Sequence, residues 1–128
     1  MKITSAFVLA ALLVSSAASA QGMMSGVPSS STTITNWYKQ NVYDQSDSTI
    51  GKIDDVLVSN SGQVDALIIG VGGFLGAGEK DVAVPFNAVK WTSKNNKKYL
   101  TMNTTKDALK AAQGLKYDSN TTTWVSAK

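Results

Sequence analysis

The sequence predicts a mainly β domain, a small barrel or sandwich with one short C-terminal helix. Three observations lead there. Between residues 36 and 102, short runs rich in Val, Ile, Tyr and Trp alternate with turn signals built from Gly, Asn and Ser. Residues 64–71 are almost continuously apolar and branched, the composition of a strand covered on both faces. Helix start and stop signals stand out around residues 104–114, near the end of the chain. Strands spaced this closely favour a barrel or sandwich over βαβ units.

The folded part is preceded by two segments of different character. Residues 1–20 read as a secretory signal: Lys2, an apolar run over 6–14, then the small residues Ala18-Ser19-Ala20, a cleavage site of A-x-A form. The apolar run is too short to span a bilayer core of about 30 Å as a permanent helix. Gln21 follows the cleavage site where a lipoprotein would need Cys. Residues 21–35 read as a flexible tether, rich in Ser and Thr and lacking a repeating apolar face, with too little to bury to offset chain entropy. The domain is expected over 36–128, with the barrel at about 37–102, the helix at about 105–113 and a tail at 114–128.

Each element has its own reason. Trp37-Tyr38 and Val42-Tyr43 form a first aromatic patch, and residues 44–48 a polar turn. Residues 50–58 read as a strand carrying Ile53 and Leu57 on one side, Val56 and Val58 on the other. Asn60-Ser61-Gly62 is a hairpin connection in which Gly62 supplies a positive φ. Residues 82–86 alternate, and Pro85 marks a strand end because it has no N–H to donate to a ladder. Two further strands, 89–91 and 99–102, are joined by the polar residues 93–98. Thr104 is placed to cap the helix, Asp107 stands in capping-box position and Gly114 is placed to end it. Tyr117 and Trp124 in the tail can cover an open side of the barrel.

Composition narrows function sharply. The chain of 128 residues has no His and no Cys, and its 12 basic residues are all Lys, against 9 acids, for a net charge of +3. Without Cys or His there is no thiol nucleophile, no Cys/His zinc site, no Ser-His-Asp triad and no imidazole base. Without Arg there is no bidentate clamp for phosphate or carboxylate. With no cysteine, an exported domain cannot rest on disulfides, which fits a bacterial periplasm better than a disulfide-dense extracellular module.

The most unusual stretch is residues 70–81, which holds Gly70, Gly72, Gly73, Gly76 and Gly78. It fails the dinucleotide fingerprint, because Leu75 stands at the third glycine position. It fails the P-loop, because Glu79 follows Gly78 where Lys is needed. A β run ending at Pro85 follows, so no helix N-terminus faces a ligand. Two readings remain: a glycine-shaped turn, or a partner contact in which Gly72, Gly73 and Gly76 present Phe74 and Leu75.

The charged residues carry bland expectations. Asp54 and Asp55 are neighbours on a strand, so they should point to opposite faces rather than share a proton. Glu79-Lys80-Asp81 reads as an exposed corner. Lys94, Lys97 and Lys98 read as a solvated hairpin tip, too weak for a nucleic-acid footprint. No catalytic, cofactor or metal residues are assigned. Gly51, Gly62, Ile68 and Pro85 are expected to be structural.

The runs Asn41-Val42-Tyr43-Asp44, Ile50-Gly51-Lys52-Ile53-Asp54-Asp55-Val56-Leu57-Val58, Gly62-Gln63-Val64 and residues 72–86 together resemble the PRC-barrel family in order and spacing. The resemblance implies a PRC-type β-barrel that acts as a docking or assembly module without catalysis of its own. The reading is therefore an exported, non-catalytic envelope module that binds a protein partner or a second copy. Nucleic acid is not expected as a partner, nor a transmembrane span once the signal is cleaved. The alternatives are an enzyme using Asp and Lys chemistry, or attachment of the Lys cluster to anionic envelope polymers.

Overall fold

The computed structural model describes residues 22–72 and 78–127, so the segment expected to be a signal peptide, Gly73, Phe74, Leu75 and Gly76 lie outside the described residues. The chain divides into two units, Met1–Thr32 and Thr33–Lys128. In the first, residues 22–32 are exposed throughout and form neither helix nor strand. They include a turn in which Ser31 donates its N–H and its hydroxyl to the Pro28 carbonyl. None of the described helices is long and apolar enough to cross a membrane.

The second unit is mainly β. Its strands are β1 (Asn41–Tyr43), β2 (Thr49–Val58), β3 (Val64–Val71), β4 (Lys80–Pro85), β5 (Val89–Lys94), β6 (Lys97–Met102), β7 (Leu115–Asp118) and β8 (Thr123–Ser126), with one helix, α1 (Lys106–Lys110). They form a single sheet in the order β5-β6-β1-β2-β3-β4-β7-β8, antiparallel except where β1 meets β6. Val42, Ile53, Leu67, Val82, Val89 and Leu100, drawn from the first six strands, pack in one core with Leu109 of α1. Six flat strands would span about 24 Å at about 4.8 Å per step, too far for β4 and β5 to share a core. The sheet must therefore curl on itself, which makes it barrel-like.

The turns follow their chemistry. Asp44 accepts the N–H groups of Ser46 and Ser48, closing the β1–β2 turn. Gly62 sits at φ 91° in the β2–β3 loop. Pro85 is the last residue of β4 and leads into a 3-10 turn at Phe86–Ala88. The polar stretch expected over 93–98 is mostly strand: β5 and β6 run to Lys94 and Lys97, leaving Asn95 and Asn96 as a two-residue turn with φ 54° and 66°. Asparagine tolerates this left-handed geometry, which matches the twist of a hairpin.

Two local expectations are corrected. The helix is capped by Thr105, not Thr104: the Thr105 hydroxyl accepts the N–H of Ala108 at 3.0 Å, and the helix ends at Ala111 rather than at Gly114. The side assignment along β2 also fails, because the register shifts between Ile53 and Asp55. Ile53 pairs with Ile69 and Val56 with Leu67, so Ile53 and Val56 share the core face, while Asp55 and Leu57 oppose Ile68 and Ala66 on the other face. One extra residue, Asp54, reverses the alternation beyond it.

β3 lies inside the sheet between β2 and β4. Its residues 67–71 are buried, whereas Val64 is half-buried and Asp65 exposed. Double-sided cover thus holds for the second half of the strand.

Candidate functional site at the base of the glycine-rich loop

The glycine-rich loop leaves β3 after Val71 and re-enters the sheet at Lys80. Its described ends, Gly72 and Gly78, have φ of 78° and 76°, a region open to glycine and strained for other residues. Below the loop, the carboxylates of Asp54, Glu79 and Asp81 converge within 4.8 Å of one another. Gly70, paired with Asp81 across the β3–β4 ladder, makes this possible: a Cβ there would collide with the carboxylates of Glu79 and Asp54.

This convergence corrects two expectations. Simple strand alternation predicts that Asp54 and Asp55 diverge, but the bulge turns both to the face away from the core. Asp54 lies over Gly70, and Asp55 opposes Ile68, two residues before Gly70 on the same strand. They then part to different partners. Glu79-Lys80-Asp81 is not a uniformly exposed corner: Glu79 is exposed, but Asp81 is half-buried, with Oδ1 shielded from solvent and lacking a hydrogen-bond partner among the described residues.

Burial pushes the Asp81 carboxyl up to about 7, helped by a hydrogen bond to Asp54 that requires a proton and by the negative charges of Asp54 and Glu79. Glu79 borders an open groove of about 240 Å³, together with Gly51, Lys52 and Lys106, but Asp54 and Asp81 do not line it. The acids face each other more than they face a cavity.

Cations hold the periphery. Lys80 donates to the carbonyl of Lys110 at the end of α1, tying the first residue of β4 to the helix. The Lys110 stem passes close to Gly72, within 3.3 Å of where a Cβ would stand. Leu109 anchors α1 in the core. The helix therefore buttresses the point where the loop departs from β3.

The other predicted residues are dispersed. Gly51 faces the core, where a Cβ would stand 2.5 Å from Ile69 Cγ2 and 2.9 Å from the Gly70 carbonyl oxygen. Gly62 lies in the β2–β3 loop and Pro85 at the end of β4. Ile68 is fully buried on the face away from the main core. Of the lysines expected at a solvated hairpin tip, all three are exposed, and Lys94 is held by Asp47 at 2.8 Å, which leaves Lys97 and Lys98. Residue-by-residue reading missed the carboxylate cluster because its members come from β2, the loop end and β4. The only signal in the chain was the pattern of Asp54, Gly70 and Asp81, which needs the strand register to be interpreted.

A curled, mostly antiparallel sheet whose first six strands share one core defines a small β-barrel domain. A family model described as PRC-barrel domain matches residues 32–109, more than half of the chain. The chain belongs to the PRC-barrel family, whose domains are protein-interaction modules. No curated protein matches the chain closely enough to count as a relative.

Proposed function

We propose that this protein is a non-catalytic docking module, exported to the bacterial periplasm, that binds a protein partner or a second copy of itself. The observation that carries this reading, beyond family membership, is the edge strand β5. It has a hydrogen-bonded neighbour on one side only, in β6. Every residue of β5 after Val89 is exposed. Trp91, 42 % exposed, rests edge-on against the buried Trp37 at a centroid distance of 5.6 Å. An open edge offers backbone groups to an added strand, and a supported, exposed Trp is a common anchor of binding energy.

Phe74 and Leu75 are the second proposed contact, framed by Gly72, Gly73 and Gly76. Sedimentation velocity and thermal melting of Trp91→Ser, and separately of Phe74→Ser with Leu75→Ser, test the reading. Weakened association with a nearly unchanged melting midpoint is the expected result. A large fall in midpoint with association unaffected sinks it, since the residues would then be structural. Export is tested by sequencing the N-terminus of the periplasmic protein, expected to begin at Gln21.

One observation favours the enzyme alternative: Asp54, Glu79 and Asp81 converge, and Asp81 titrates near neutrality. Turnover of any substrate that Asp81→Asn abolishes without loss of fold would establish it. Attachment to anionic envelope polymers rests on Lys97 and Lys98, and predicts binding that weakens steeply with salt.

A further inference from the structure

The sheet face turned away from the core carries a feature that docking through Trp91 or the glycine loop does not use. Tyr43 on β1 and Tyr99 on β6 meet edge to face, with ring centroids 5.5 Å apart. They share a cleft of about 470 Å³ with the 44–47 turn and the end of β5. That volume falls within the roughly 300–1,000 Å³ of small-molecule sites.

The charged groups of this cleft already have partners. Asp44 accepts the backbone N–H groups of Ser46 and Ser48 at 2.8 and 2.9 Å. Lys94 Nζ donates to both carboxylate oxygens of Asp47 at 2.8 Å. The hydroxyls of Thr92 and Thr101 bond each other at 2.7 Å. What remains is neutral: the phenol hydroxyls of Tyr43 and Tyr99 and the carboxamides of Gln45 and Asn95, all without side-chain hydrogen-bond partners among the described residues.

Elimination narrows the ligand. A phosphate or carboxylate would meet Asp44 and Asp47 and find Lys94 taken. A purely apolar ligand would strip water from four polar groups and give them nothing in return. A ligand with an apolar C–H face for the tyrosines, and neutral hydroxyls for the amides and phenols, satisfies both halves. We infer that this cleft binds neutral carbohydrate, with a sugar ring seated against the Tyr43–Tyr99 pair. The cleft includes neither Trp91 nor the described ends of the glycine loop, although Thr92 and Lys94 in its lining belong to the β5 edge proposed for docking.

The test is a titration of the isotopically labelled chain, followed by NMR, with maltotetraose, cellotetraose and chitotetraose. Dextran sulfate serves as the anionic control. The expected result is a saturable response to at least one neutral saccharide, with Kd of about 1 mM, centred on Tyr43, Gln45, Asn95 and Tyr99. Tyr99→Phe combined with Gln45→Ala keeps both rings and should weaken binding about tenfold, with shifts elsewhere unchanged. Absence of a saturable response to all three neutral saccharides overturns the inference. So does an equal response from the variant, or a response confined to dextran sulfate at Lys97 and Lys98.

Discussion

Trp124 donates its indole N–H to Asp55 Oδ2 at 2.7 Å, joining the C-terminal hairpin to a strand 69 residues upstream. Asp55 Oδ1 accepts the N–H of Val56 at 2.8 Å, so both oxygens of this half-buried carboxylate are used. Asp55 opposes Ile68 across the β2–β3 ladder. The bond therefore draws the β7–β8 hairpin over the outer face of the sheet's central strands, and gives that face the cover that the main core gives the other. Tyr117 braces Trp124 edge-on, at a centroid distance of 5.9 Å.

Trp124→Phe keeps most of the ring but removes the donor. It should destabilise the domain by about 1–3 kcal/mol, the penalty for leaving a part-buried acceptor unpaired. Asp55→Ala in the same background should then cost much less than it does alone. A double-mutant cycle by chemical denaturation measures the coupling, and additive losses would show that the two residues do not support each other.

Ile68→Ala should cost about 2–5 kcal/mol, because the side chain is fully buried and leaves a cavity. Lys97→Ala, at the exposed hairpin tip, should change stability by less than about 0.5 kcal/mol. Equal losses in denaturant titrations would contradict the placement of β3 between two covered faces.

Stability should depend on pH through Asp81. Its carboxyl is raised to about 7 in the fold, against an ordinary 3.8 for aspartate in the unfolded chain. A group raised in this way favours the folded state fully at low pH, and that support is lost as pH rises from about 4 through about 7. Asp81→Asn should flatten this slope and melt higher than the natural chain at pH 8. Calorimetry at pH 5 and pH 8 decides it, and parallel pH profiles for the two proteins would exclude Asp81 as the source.

Gly51→Ala should be destabilising by about 1–3 kcal/mol, through overpacking against Ile69 and the Gly70 carbonyl, where the backbone cannot step aside. Gly114→Ala meets only the Lys80 and Ala127 side chains, at 3.2 Å and beyond. It should be tolerated far better. Comparable melting temperatures for the two variants would contradict the close approach at Gly51.

Much of the strand layout was determined by the sequence alone. The branched run of residues 64–71, the glycine at position 62, the proline at position 85 and the alternation of Val82 and Val84 are local properties, and strand pairing preserved them. Composition likewise determined what chemistry is missing, since no fold can supply a histidine or cysteine that the chain lacks. Register was decided only by the tertiary structure. One extra residue at Asp54 moved Val56 to the core side and set Asp54 beside Glu79 and Asp81, while leaving Asp55 for Trp124. Side-chain period in a strand is two, so a single bulge inverts every assignment beyond it, and nothing in the local residues announces where the partner strand will demand it. The carboxylate cluster beside Gly70 and the cleft at Tyr43 and Tyr99 depend on contacts between residues far apart in the chain, which exist only after the sheet has curled.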